Sequence, residues 1–355
     1  MRNHVNDGIA ARRMAADHRA RGSLIRLLCV ASFLRVGLTR LLPLAGSAAW
    51  WTALVCLLPG AAVLGMLRLM LHWTGVSTLA EGVRACLGKR GAWAASWLIG
   101  ACLLLGALSA LTALLTMFTE GVGTRGTQFT LAVLTAMVLV ACLHREGLSR
   151  AAVLLRWPLT ALAVLLLIFA LPEMHLDGLY PLGGTGGAAT LDALKSGWSL
   201  GWPLALLLTV PPVPGQRRLA TAVVPCIWCA GTLLALTLLL PHEVLLRHAG
   251  LADGLLLPGW YLPNALRTLA QCGMMLLIFL GLGGMLQAAA AQLCVSWGRV
   301  PGWLPSLLAA LLTLTQLGDT SELQRWLSQL ESWLLTIPAA LALICLPVAW
   351  GRRKS

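Results

Sequence analysis

Apolar residues in this chain run in blocks about as long as a bilayer is thick, separated by short polar stretches. A membrane-spanning helix needs about 20 mostly apolar residues. Ten stretches meet or approach that length: Leu24–Leu44, Ala48–Leu71, Ala92–Phe118, Gln128–Leu143, Ala152–Leu171, Ser199–Val213, Leu219–Leu240, Ala265–Val295, Leu304–Leu317 and Leu330–Trp350. The sixth and ninth are short, and the eighth is long enough to tilt or to extend past the bilayer. Between the second and third, Leu79, Val83, Cys86 and Leu87 recur at helical spacing. That pattern predicts a short amphipathic helix on the membrane surface, with Ser77 as its cap and Glu81 in its first turns. The polar, Gly-rich and acidic segment Pro172–Gly197 is expected to form the longest outer loop, partly re-entering the membrane or covering a cavity.

Composition agrees with that pattern. Of the 355 residues, 58% are hydrophobic and 11% charged, and the mean hydropathy is +0.82. Soluble domains carry roughly 25% charged residues, so disorder and a soluble globular fold are both excluded, leaving an all-α integral membrane protein. Expected are a basic tail over 1–23, a membrane domain over 24–350 and a second basic tail over 351–355. The N-terminal arginines lack a short clean apolar segment before a cleavage site, so the tail is read as retained. The formal charge is +13, but the bases are scattered through loops and tails, with no stripe that would bind nucleic acid. Placing both ends in the cytoplasm puts 16 bases in inner segments and four in outer ones, as the positive-inside rule requires. Many of the 15 tryptophans lie near predicted span ends, where an amphipathic ring suits the interface.

The chemistry of the predicted membrane interior is sparse. All thirteen acids, Glu331 among them, fall in tails, loops or span edges. Ion-coupled carriers commonly keep a carboxylate inside the membrane. Arg35 lies mid-span and Arg267 near the start of span eight. An arginine at a span centre costs about 2.5–3.5 kcal/mol on insertion scales, so it should face a cavity or a partner. Arg35 is either the counter-charge of an anionic ligand or a structural residue, while Arg40 and Arg267 are expected to snorkel or to pair with backbone carbonyls. Spans one and six both carry Gly and Pro, in Leu34-Arg-Val-Gly-Leu-Thr-Arg-Leu-Leu-Pro43 and Ser196-Gly-Trp-Ser-Leu-Gly-Trp-Pro203. Paired helix breaks in two halves of a carrier point to a midplane site.

Other candidates carry less. Cys226-Ile-Trp-Cys229 has redox or zinc spacing but heads an apolar span, so small-residue packing is favoured. Gly284 and Ala288 have small-xxx-small spacing for helix contact. Gln271, Gln287 and Gln292 suit either a cavity lining or interhelical hydrogen bonds. No Ser/His/Asp arrangement, phosphate loop or metal set is visible, so no enzyme, cofactor or metal is expected.

The order of these features resembles the GerAB-type spore germination permeases. The resemblance rests on Val36-Gly-Leu-Thr-Arg-Leu-Leu-Pro43, followed by Ala48-Ala-Trp-Trp-Thr-Ala-Leu54, then Thr78-Leu-Ala-Glu-Gly-Val and Leu87-Gly-Lys89. Its clearest element is Leu171-Pro-Glu-Met-His-Leu-Asp-Gly-Leu-Tyr-Pro-Leu182 before span six. Where that family often has Gly-Phe-Glu and Arg-x-Asp, this chain has Gly201-Trp202-Pro203 and Arg267-Thr268-Leu269. The resemblance implies the amino acid–polyamine–organocation (APC) superfamily fold, with a five-plus-five inverted repeat and broken spans one and six. It also implies the B subunit of a germinant receptor in the inner membrane of an endospore, working with an A-type membrane subunit and a C-type lipoprotein. The nutrient, an amino acid in expectation, would lie between spans one, three, six and eight. Its carboxylate would face freed N–H groups near Gly37 and Gly201, with Ser199, Thr39 and Thr112 as hydroxyl partners, Trp202 as a wall and Arg35 or Arg267 as charge partner. The alternatives are an amino-acid transporter of the same fold, or a structural subunit whose pocket has degenerated.

Overall fold

With no water in a bilayer core to satisfy peptide groups, an apolar chain must close its hydrogen bonds within each segment. In the computed structural model the described residues are 22–122, 147–208, 218–239, 264–294, 301–315, 326–327, 329–331 and 333–354. They are helices joined by short turns, with no strand among them. We number the longer helices α1 (residues 22–36), α2 (Ala49–Thr74), α3 (Leu79–Val122), α4 (Gly147–Ala170), α5 (Gly187–Gly197), α6 (Arg218–Leu239), α7 (Asn264–Leu293), α8 (Leu304–Leu314) and α9 (Thr336–Lys354). Among the described residues, five stretches are long and apolar enough to cross a membrane: Gly22–Thr74, Leu79–Leu115, Arg150–Ala170, Thr268–Leu293 and Gln329–Arg352. Val224–Leu239 and Leu304–Thr313 are shorter apolar helices. Every predicted span except the fourth coincides at least in part with described helix; Gln128–Leu143 lies outside the described residues.

The two sites of expected interruption change helical pitch without unwinding. After α1 the chain widens into a π-helical segment, Gly37–Leu41, resumes for one α turn over Leu42–Ala45, and turns at Gly46 (φ 55°, ψ −122°) into the 3-10 turn Gly46–Ala48 that leads to α2. The Thr39 hydroxyl donates back to the Arg35 carbonyl at 2.8 Å. At span six, α5 continues directly into the 3-10 segment Trp198–Leu208, which contains Pro203. Runs of 3-10 helix beyond three or four residues are uncommon. Staying helical keeps peptide groups satisfied where an unwound strand would leave them bare.

Expected surface helix and third span are one element, α3, broken at Gly88 (φ 73°, ψ −173°). Those angles suit only a residue without Cβ. Its start is a capping box rather than a Ser77 cap: the Glu81 N–H donates to the Thr78 hydroxyl at 3.4 Å, and the Thr78 N–H donates to the Glu81 carboxylate at 3.3 Å. Ser77 instead donates its hydroxyl to Glu81 at 3.4 Å.

Helices α3 and α7 pack along each other most extensively, and α2 packs on the 3-10 segment, α6 and α9. Gly284, with the small-xxx-small spacing, meets Leu24 and Leu28 of α1. Helix α4 is peripheral, with only 6% of its apolar stretch buried. Residues 171–186 hold two 3-10 turns and, with α5, replace the expected loop by an ordered segment. It rests on the ends of spans one, two and seven. Ser47 donates its hydroxyl to the Pro181 carbonyl at 2.6 Å, Trp51 its indole N–H to the Leu182 carbonyl at 3.0 Å, and Thr185 its hydroxyl to the Leu44 carbonyl at 2.7 Å. The His175 N–H donates to the Leu238 carbonyl at 2.9 Å.

Candidate functional site

A charged side chain inside an apolar bundle must be paired and hydrogen-bonded, because removing it from water costs several kcal/mol. Arg35, at the end of α1, is only 7% exposed. Its guanidinium forks onto the carboxylate of Glu331, which sits in the helical turn before α9 and is 3% exposed. One Arg35 nitrogen also donates to the Ser109 hydroxyl of α3 at 2.8 Å. Arg40, in the π-helical segment and less deeply buried, donates to Glu331 Oε2, which it shares with Arg35. Two guanidinium groups thus share one carboxylate, joining the first, third and last helical regions. Among the described residues the cluster keeps one unit of surplus positive charge.

This geometry refines one sequence expectation and corrects another. Glu331 stands at a span edge as expected but is buried, because the edge of an apolar run along the chain need not be the edge of the bundle in space. Arg40 does not reach only to backbone carbonyls; it completes the ionic cluster. Arg35 finds its partner in a carboxylate of the same chain. Arg267 lies in α7, but its side chain is outside the described residues.

The other expected ligand contacts divide between this cluster and packed interfaces. Thr39 lies one helical turn beyond Arg35, and Thr112 one turn beyond Ser109, where its hydroxyl donates to the Leu108 carbonyl at 2.9 Å. Gly37 is against Leu233 of α6: a Cβ there would come 3.0 Å from that side chain. Gly201 is closed more tightly. A Cβ on it would come 2.6 Å from the Gly60 Cα of α2, and one on Gly60 would come 2.3 Å from the Gly201 Cα. Backbone meets backbone there, which only two glycines allow. Trp202 is buried, and its ring tip rests on Gly106 of α3 beside Met285 of α7. Ser199 is buried one turn before it. The gap left beside Trp202, Leu103 and Pro338 is about 20 Å³, room for about one water and no more. Admitting an amino acid beside Gly201 therefore requires α2 and the 3-10 segment to part.

Spans one and six do touch. The buried Cys29 thiol of α1 lies 3.5 Å from the Pro203 carbonyl as a donor. Of the weaker candidates, Cys229 is buried in the core and Cys226 partly so. Gln292 is buried, and its Oε1 lacks a hydrogen-bond partner among the described residues.

Sequence reasoning missed Glu331, Ser109 and Gly60. The available signal was charge balance: two arginines in one apolar span demand an acid, and Glu331 is one of the acids at a span edge. Ser109 and Gly60 carry no local signal, since small residues are common throughout membrane helices. No protein-family profile and no curated protein matches this chain.

Proposed function

We propose that the chain is a multi-pass membrane subunit that recognises a small carboxylate-bearing nutrient, an amino acid in the first instance. In this reading it is the nutrient-sensing B subunit of a germinant receptor in the endospore inner membrane, with an A-type membrane subunit and a C-type lipoprotein as partners. The observation that carries the recognition chemistry is the buried set Arg35, Arg40 and Glu331, in which two cations face one anion. A ligand carboxylate can take the Arg40 side of Glu331 while Arg35 keeps its fork, so binding replaces one ion pair by another of like geometry. The pitch changes at Gly37–Leu41 and Trp198–Leu208 supply helix segments that can shift between two packings. A ligand that binds one packing better than the other biases it and conveys occupancy to the partner subunits.

Two rivals each draw on a specific feature. A buried carboxylate in an apolar bundle, Glu331, suits an ion-coupled amino-acid transporter. The closed Gly60–Gly201 contact suits a structural subunit with a degenerate pocket. Purified protein in proteoliposomes, offered labelled amino acids with and without a proton or sodium gradient, separates the readings. Saturable binding without gradient-driven accumulation, weakened at least tenfold by Arg40→Gln, is expected for a sensor. Robust accumulation makes the chain a transporter, and no binding of any amino acid leaves the structural reading.

A further inference from the structure

A second basic pair lies away from the Glu331 cluster. Arg26, near the start of α1, has its Nε buried with no hydrogen-bond partner among the described residues. It lies within the field of Arg156, in the first half of α4. The Arg156 guanidinium stands 5.0 Å from the ring centre of Trp157, whose own side chain is 67% exposed. An arginine over the face of a tryptophan is a cation–π pair, and outward tryptophans are enriched at membrane interfaces.

A groove of about 180 Å³ runs between α1, α4, α6 and α7, with Arg156 and Leu27, the neighbour of Arg26, in its lining. Its walls include Leu27 and Leu34 of α1, Leu159 and Leu166 of α4, Trp228 of α6 and Met274 of α7. Two threonines also line it, but their hydroxyls are turned back onto their own helices. Thr160 donates to the Arg156 carbonyl at 2.7 Å and Thr232 to the Trp228 carbonyl at 2.8 Å. The groove is therefore apolar along its length and cationic at one end, with no acid among its described lining residues. Because α4 is peripheral, the groove lies at the rim of the bundle, where lipid has access.

We infer that this groove is a binding site for an anionic phospholipid, with the phosphate on Arg26 and Arg156 and the first part of one acyl chain between α1 and α4. Charge decides the occupant. Two neighbouring guanidiniums with no carboxylate repel each other until an anion joins them, and a zwitterionic lipid brings a second cation to the same place. Pairing with a headgroup also supplies the acceptor that the buried Arg26 Nε lacks.

The test uses the full-length protein in a neutral detergent, titrated separately with phosphatidylglycerol, phosphatidylcholine and inorganic phosphate, with retained lipid counted by native mass spectrometry. Phosphatidylglycerol should be retained over phosphatidylcholine, and Arg26→Gln and Arg156→Gln should each reduce its apparent affinity about fivefold. Equal retention of the two lipids, an unchanged preference in the double variant, or stabilisation by inorganic phosphate as strong as by lipid would overturn the assignment. A wild-type measurement covers the case in which the double variant does not accumulate. Phosphatidylglycerol with a photoreactive group in its acyl chain should label residues 27–34, 159–166 or 270–277, and labels confined to other segments would refute the site.

Discussion

Arg35 and Glu331 show how far one side chain depends on another. With both oxygens of Glu331 engaged by guanidinium groups and Arg35 also bound to Ser109, the pair meets the conditions under which a buried charge is tolerated. Removing one partner leaves the others uncompensated. Glu331→Gln is expected to destabilise the protein by about 3–5 kcal/mol, whereas replacing the whole set, with Arg35→Met, Arg40→Met and Glu331→Leu together, should recover most of that loss. Thermal unfolding in detergent checks both, and a Glu331→Gln protein as stable as wild type would refute the buried cluster. The sequence made Arg35 legible because a charge in an apolar run stands out. Glu331 was hidden because hydropathy along the chain cannot say which end of a run is covered by neighbours.

Elements in this bundle are set by small residues as much as by large ones. The 3-10 segment lies against α2 because Gly60 and Gly201 bring two backbones into direct contact. Gly201→Ala should therefore cost about 1–3 kcal/mol by overpacking. Gly65→Ala, on the same helix as Gly60 but with open space around it, should be neutral or stabilising by up to about 1 kcal/mol through helix propensity. Thermal shifts of the two variants measure the difference, and equal shifts would argue against the contact. Positions of the long helices were legible from apolar runs alone, since length and composition suffice for them. Their pitch was not. Gly and Pro in spans one and six announced an irregularity, but whether it becomes an unwound gap, a π segment or a 3-10 run depends on which peptide groups the neighbouring helices can satisfy. Gly60, the glycine that faces Gly201, was not legible, because close approach is a property of two elements and is written in neither one.

At the scale of the molecule, residues 171–186 tie together elements far apart in sequence. Four hydrogen bonds hold this segment to the ends of spans one, two and seven. Each is worth about 0.5–1.5 kcal/mol, so Ser47→Ala with Trp51→Phe should loosen the segment by about 1–3 kcal/mol without unfolding the core. Hydrogen exchange should then quicken over residues 171–186 and stay unchanged in α3 and α7; uniform acceleration would mean the segment is part of one cooperative unit. Among the described hydrogen bonds the longest reach is that between Arg35 and Glu331, separated by 296 positions. Its consequence falls on biosynthesis. Arg35 leaves the ribosome and enters the lipid with the first span, while its counter-charge is not made until the last. While the 296 positions between them are translated, the nascent protein carries an unmatched cation, so a product truncated before residue 331 is a natural target for membrane quality control.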